Sequence, residues 1–377
     1  MVTRAAQDVL IVGAGIAGMS LGVALKRAGI DCEIAEIRPE LSEPGTGISL
    51  QGPALRALKT IGIVDPCIAR GFGYSHFKTC DAAGTVTGTV ELPRLLGPDY
   101  PATVGIMRQA VHDVLAGELA RLGVPIRLGT SVETLAQDDR GVEVTFTDGT
   151  RRRFDLVVGA DGASSRVRDL AFGAQHRPHY TGQMNWRATV SRPAEVQGRY
   201  SYFGPTNKSG FNPVSESTMY IYIVQNVPER PRWDDAELPQ MMRGLLAEFG
   251  GALGRAREEV RTPGQIICRP ITSLILPPPW HRGRIVVIGD AAHATTPHLA
   301  SGASLAIEDA IVLARLLAAE ITLAGALEEF TQLRYERCRM IVENSELLGE
   351  WEKNPSAPNA DTINVIARSY RALAEPV

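Results

Sequence analysis

The chain has 377 residues, 21% of them charged, with a formal net charge of −3 and a sequence pI near 6.2. That length carries one large domain or two interleaved ones with an ample core, and the charge excludes a nucleic-acid partner because it implies no basic face. Five widely spaced cysteines (Cys32, Cys67, Cys80, Cys268, Cys338) without a C-x-x-C predict a reducing compartment, no metal site and no redox disulfide.

The N-terminal apolar run is too short and too glycine-rich for a signal peptide, and no stretch reaches membrane-helix length, so a soluble cytoplasmic protein is expected. Val9 to Val12 read as a central parallel strand buried on both faces. Gly13, Gly15 and Gly18 follow as G-x-G-x-x-G, and Met19 to Ala28 read as a helix. In such a turn the first glycine permits the bend, the second admits a pyrophosphate and the third lets helix pack on strand. The free N–H groups at the helix start then face the phosphates. Cys32 to Ile37 form the next apolar segment, with Glu36 where a carboxylate accepts both ribose hydroxyls and repels a 2′-phosphate. The adenosine half of a dinucleotide is expected here, either FAD or NAD.

Further along, Glu43 to Leu50 form a glycine-rich loop leading to a helix over Pro53 to Ile61. Strands are expected over 74–92, a helix over Gln109 to Leu122, and strands from Pro125 to Phe146 with a hairpin turn at Asp148-Gly149. The opening grammar of apolar strand, glycine-and-acid turn and helix start recurs twice. It returns at Asp155 to Arg168, with Asp161-Gly162 in the turn, and at Gly283 to His293, with Gly289-Asp290. Between them, Tyr180 to Val227 alternate aromatic and polar residues and read as a separate antiparallel sheet. Leu238 to Phe249 read as a helix, Pro277 to Pro279 as an extended linker, and Ala326 to Gly349 and Thr362 to Leu373 as closing helices.

Three strand-to-acid turns in this order resemble the class A flavoprotein monooxygenases, the FAD-dependent aromatic hydroxylases typified by 4-hydroxybenzoate and salicylate hydroxylases. Arg108 with His112-Asp113-Val114-Leu115 is similar to that family's FAD-contacting arginine and its helix, and the resemblance spans residues 8–345. It implies an α/β fold: a Rossmann-like FAD-binding domain (1–73, 102–178 and 268–345) interleaved with an antiparallel β-sheet substrate domain (74–101 and 179–267), plus C-terminal helices (346–377). It implies non-covalent FAD held by Gly13, Gly15, Ile16, Ala17, Gly18, Glu36, Ile37, Arg38, Gly47, Arg108 and Val132. The other two turns would add Asp161, Gly162, Arg168, Gly289, Asp290, Pro297, Gly302 and Ala303. Gly302 and Ala303 open a helix whose positive end would stabilise anionic reduced flavin. Where the family often carries G-Q-G, this chain has Ala300-Ser301-Gly302, which narrows how the backbone turns.

By the same resemblance, NADH or NADPH reduces the flavin from a surface cleft. O₂ then forms a C4a-hydroperoxide that hydroxylates a small phenolic or N-heteroaromatic substrate. The substrate would lie against the second domain, with Tyr74, Asn185, Tyr202, Phe211, Asn212 and Tyr220 among the candidate lining. Arg187 is the candidate for holding an anionic group, His76 for the base, and Tyr222 shares a strand face with Tyr220. An FAD-dependent reductase of the same fold and a non-catalytic FAD-binding regulator stay open as alternatives. A monomer and a homodimer are both compatible with the sequence.

Overall fold

The computed structural model describes residues 6–41 and 45–377, so Glu43 and Pro44 of the expected glycine-rich loop lie outside the described residues. A parallel sheet runs in the order Ile285–Val287, Leu156–Gly159, Asp8–Val12, Asp31–Glu36, Ile126–Leu128, with His281–Arg282 as an antiparallel edge. Val9, Leu10 and Ile11 are fully buried because this sheet packs on helices and on a three-stranded sheet of Val132–Asp138, Gly141–Phe146 and Arg151–Phe154, as continuous apolar strands require. From Asp8–Val12 the chain moves first to one neighbour (Asp31–Glu36) and later to the other (Leu156–Gly159). That reversal leaves a crevice at the carboxyl ends of the strands, where ligands of such sheets bind.

The second sheet has seven strands, in the order Ile266–Ser273, His179–Ser191, Thr218–Asn226, Lys208–Pro213, Arg199–Phe203, His76–Asp81, Val86–Glu91. It departs from the expected wholly antiparallel sheet in one pair: Arg199–Phe203 runs parallel to His76–Asp81. One face packs on the helix Leu238–Leu246 around Trp186, Phe211 and Met242. The other looks toward the parallel sheet. A small sheet of Gly47–Gln51, Thr103–Met107 and Phe72–Tyr74 fills the junction.

Three expected boundaries fall inside single elements, the first where the strand Phe72–Tyr74 crosses position 74. The strand Ile266–Ser273 crosses position 268 and stays paired as far as His179 opposite Ser273. The helix Leu323–Lys353 crosses position 346 without a break, so only Thr362–Ala374 forms a separate closing helix. The resemblance implies these limits, whereas hydrogen-bonded pairing and a helix continue through them. No helix among the described residues is long and apolar enough to cross a membrane.

Candidate active site

The three turns converge on the crevice. Gly13 has φ +104°, and a Cβ there would come within 2.5 Å of the Ala160 carbonyl oxygen, so this glycine is required where the first two turns touch. A Cβ on Gly18 would meet the Gly13 oxygen at 2.0 Å, which is the close helix-on-strand packing expected of it. A Cβ on Gly15 would meet nothing within 4 Å, so the middle of the turn faces open space at the start of the helix Ile16–Arg27. Glu36 closes the other side: its carboxylate accepts from Ala14 N–H at 2.7 Å and Arg38 N–H at 2.9 Å. Ile37 and Arg38 are exposed beside it. The backbone at 129–130 binds back to Arg38 and Glu36, while the Val132 side chain is buried in the core.

A cavity of about 320 Å³ continues from Gly15. Ile16, Ala17, Arg108, Gly162, Asp290 and Pro297 border it, as do Gly302 and Ala303 at the start of the helix Gly302–Ala318. Asp290 accepts no hydrogen bond from the described residues, and burial pushes its carboxyl up from the ordinary aspartate range. An acid at a helix start, without a partner and open to a cavity, suits a hydroxyl-bearing ligand. Unfilled space over Gly15, helix N-termini at both ends and the unpaired Asp290 together fit FAD.

Three expected contacts serve the protein itself. Asp161 accepts from Ser165 Oγ at 2.5 Å and from the N–H groups of Arg166 and Val167 at 2.7 and 3.1 Å, capping the helix Arg166–Phe172. Arg168 is buried and donates to the carbonyls of Ala291 (3.0 Å) and Ala163 (2.8 Å), tying the second acid turn to the third. Gly47 lies where a Cβ would be 2.3 Å from Val214 and 2.6 Å from Tyr220, so its role is packing between sheets. The third turn is fixed from below. Asp309 accepts from Gly289 N–H at 2.9 Å, lies 2.6 Å from His293 Nε2 and receives Arg334 Nε at 2.7 Å. His293, Asp309 and Cys338 converge closely enough to hold a metal ion, but both Asp309 oxygens are already engaged in these contacts.

On the sheet side of the same cavity stand Asn185, Arg187, Asn212, Tyr220 and Tyr222, as the sequence led us to expect. Tyr202 and Phe211 point the other way, packed 5.7 Å apart and with Phe249 6.2 Å from Tyr202. Strand alternation puts Ser201, not Tyr202, on the site face, where its Oγ lies 2.6 Å from the Tyr222 hydroxyl. His76 is half-buried with its ring against Gly198 and borders no part of the cavity. The histidine at the site is His298, whose Nδ1 lies 2.8 Å from Thr296 Oγ1 and whose Nε2 lies 3.2 Å from Glu352 Oε2. Lys208 forms an ion pair with the same Glu352. Burial opposes ionisation of Glu352, but Lys208 and His298 outweigh it and hold its carboxyl down at about 2. Arg199, also bordering the cavity, pairs with no carboxylate among the described residues and stacks 5.1 Å from the Phe77 ring. Arg187 likewise has no carboxylate partner there and lies 5.6 Å from the Tyr220 ring. Burial lowers the Arg187 pKa, though an arginine stays charged.

Crevice, turns and cationic sheet face together define a flavin-dependent oxidoreductase. Residues 6–345 match the model of a family described as an FAD binding domain. The chain is 33% identical to 2-heptyl-3-hydroxy-4(1H)-quinolone synthase of Pseudomonas aeruginosa, over 97% of this chain and 98% of that one. It is 32% identical to the aurachin C monooxygenase/isomerase of Stigmatella aurantiaca, over 91% and 90%. Klebsiella pneumoniae HpxO, solved with FAD and uric acid, superposes with a TM-score of 0.85 at 24% identity, over 100% of this chain and 94% of that one. The chain belongs to this FAD-binding family, as an FAD-dependent monooxygenase of the class A type.

Proposed function

We propose that the enzyme uses NADH or NADPH and O₂ to hydroxylate a small phenolic or N-heteroaromatic ring held between the FAD site and the second sheet. The observation that carries this reading is the pair Arg187 and Arg199, two guanidinium groups on the cavity without a carboxylate partner among the described residues. A half-buried charge without a carboxylate partner is costly, and an anionic ring oxygen would complete both pairs. The same cations favour the ionised ring, which is the electron-rich form that accepts oxygen. Bound FAD supplies the redox and oxygen chemistry once reduced. The protein supplies the rest: the guanidinium groups orient the ring anion and the Tyr222 hydroxyl offers a hydrogen bond. His298, held between Thr296 Oγ1 and the Glu352 carboxylate, completes the polar wall beside them. Relatives named for a quinolone and solved with uric acid support a heteroaromatic ring over a plain phenol.

The test is a panel of phenols, hydroxypyridines and 4-quinolones, scored for stimulated NAD(P)H oxidation with O₂ uptake and one oxygen atom gained by the ring. Arg199→Met should raise KM at least ~10-fold, the loss of one charge-assisted hydrogen bond, with FAD still bound. Flavin reduction without oxygen transfer to any ring would favour the reductase reading.

A further inference from the structure

Five residues, Ser49, Arg199, Lys208, Val224 and His298, border the flavin-side cavity and also a second one of about 860 Å³ that opens away from it. That volume lies toward the upper end of the range for small-molecule sites, about 300–1,000 Å³. Its charged groups are confined to this neck and to Glu352, which Lys208 already pairs. The rest of the wall is chiefly apolar, built by Phe77 from the sheet, Leu95 from a loop, Trp351 from the long helix and Ile366 from the C-terminal helix. The helix Thr362–Ala374 buries Val365 and Ser369 and turns Ile363, Ile366 and Leu373 to the cavity. At the mouth, Ile363 is 83% exposed, Phe203 52% and Val90 51%, all three bordering the same space. Large exposed apolar side chains that converge on one opening mark a binding site more often than scattered ones do.

The geometry points to a two-part substrate: an ionisable aromatic head held at the Arg199–Lys208–His298 neck, and a hydrocarbon chain of several carbons lying in the second cavity toward Ile363. The polar neck explains the orientation, since Glu352 pairs Lys208 but leaves Arg199 for the head, and only the chain can cover the apolar wall without stranding a polar group. The placement of the head rests on the hydroxylase reading above, whereas the ligand class of the cavity does not. Each methylene that moves from water into the wall adds about the same increment of affinity, until the chain reaches the mouth.

Two homologous series, 4-n-alkylphenols and 2-n-alkyl-4-quinolones from methyl to octyl, test this on the FAD-loaded enzyme. Binding is read from the fluorescence of Trp351, identified by its loss in Trp351→Phe, and turnover from the oxygen gained by the ring. Kd is expected to fall roughly fourfold per added methylene over the first several carbons. Ala367→Trp places an indole in the cavity mouth from an exposed helix position, so folding and FAD content should hold. That variant should flatten the series and leave the methyl compounds within about twofold of their native Kd. Rings that are hydroxylated with no chain-length dependence would overturn the tail site and leave the hydroxylase reading standing. A steep binding series in which no ring gains oxygen would do the reverse. A series equally steep in Ala367→Trp would place the chain elsewhere and overturn the proposal.

Discussion

Ala300 sits at φ +51°, ψ +32°, in the left-handed region, two residues before the helix that opens on the flavin-side cavity. An alanine there costs about 1 kcal/mol, which glycine would not incur. Ala300→Gly should therefore stabilise the protein by ~0.5–1 kcal/mol in chemical unfolding, with FAD retained. Gly15 makes the opposite case. Its Cβ direction is empty of protein, so Gly15→Val should fold normally and lose the flavin absorbance, because the added methyls would fill the space a pyrophosphate needs. Glu352 gives a pH signature. Its pKa in the folded protein, about 2, lies below the ordinary 4.5, so it contributes stability above pH 4.5 that is lost as pH falls through that window toward 2. Lys208→Met removes one of the two cations that lower this pKa and leaves His298, so the folded value moves up toward 4.5. Thermal unfolding against pH should then show a smaller loss of stability between pH 4.5 and 2 in the variant than in the native protein.

At the scale of elements, the Gly289–Asp290 turn hangs on a buried ion network that links two helices. Arg334 on Leu323–Lys353 donates to Asp309 at 2.7 Å and Glu308 at 3.0 Å on Gly302–Ala318, and Arg337 adds 2.8 and 3.0 Å contacts to Glu308. Burial disfavours a charged His293, but Cys338 and Asp309 outweigh it and raise its pKa well above the usual histidine range. Asp309→Asn would leave Arg334 and His293 facing each other without their shared carboxylate. Breaking a buried pair from one side costs about 3–5 kcal/mol, so a loss of that order is expected in urea unfolding. Because Asp309 also accepts the Gly289 N–H, FAD affinity should fall in the same variant, as measured by flavin released on dilution.

For the whole molecule, the decisive contact is between the two sheets. A Cβ on Gly105 would lie 2.0 Å from the Pro213 carbonyl oxygen, and one on Gly47 would strike Val214 and Tyr220. These glycines set how closely the substrate sheet approaches the FAD crevice. Gly105→Ala must separate backbone from backbone, since neither partner is a flexible side chain. It should therefore impair turnover through misplacement of Arg187 and Tyr222, more than it impairs FAD binding. Comparing kcat with flavin content in the purified variant checks this.

The sequence by itself determined the glycine-and-acid turns, because each part of them is local: a strand, a turn whose glycines have no alternative, and a helix start within a dozen residues. Gly13, Gly15, Gly18, Glu36 and the Gly289–Asp290 turn could all be read this way, since backbone sterics act between near neighbours in the chain. The role of Asp161 could not, because a carboxylate in such a turn can face a ligand or its own helix, and only coordinates show it capping Arg166–Phe172. The substrate side was decided by tertiary structure. His298, Arg199, Lys208 and Glu352 lie on four elements spread from position 199 to 352, and no spacing rule joins them. His298 carried one signal, its place directly after Pro297 in a segment that borders the cavity beyond the third turn. Glu352 carried none, because a glutamate near the end of a 31-residue helix reads as a solvated charge until the sheet brings Lys208 against it. Strand parity made the same choice among the aromatics: it turned Tyr222 to the site and Tyr202 to the core, and parity follows from register, which pairing across the sheet alone fixes.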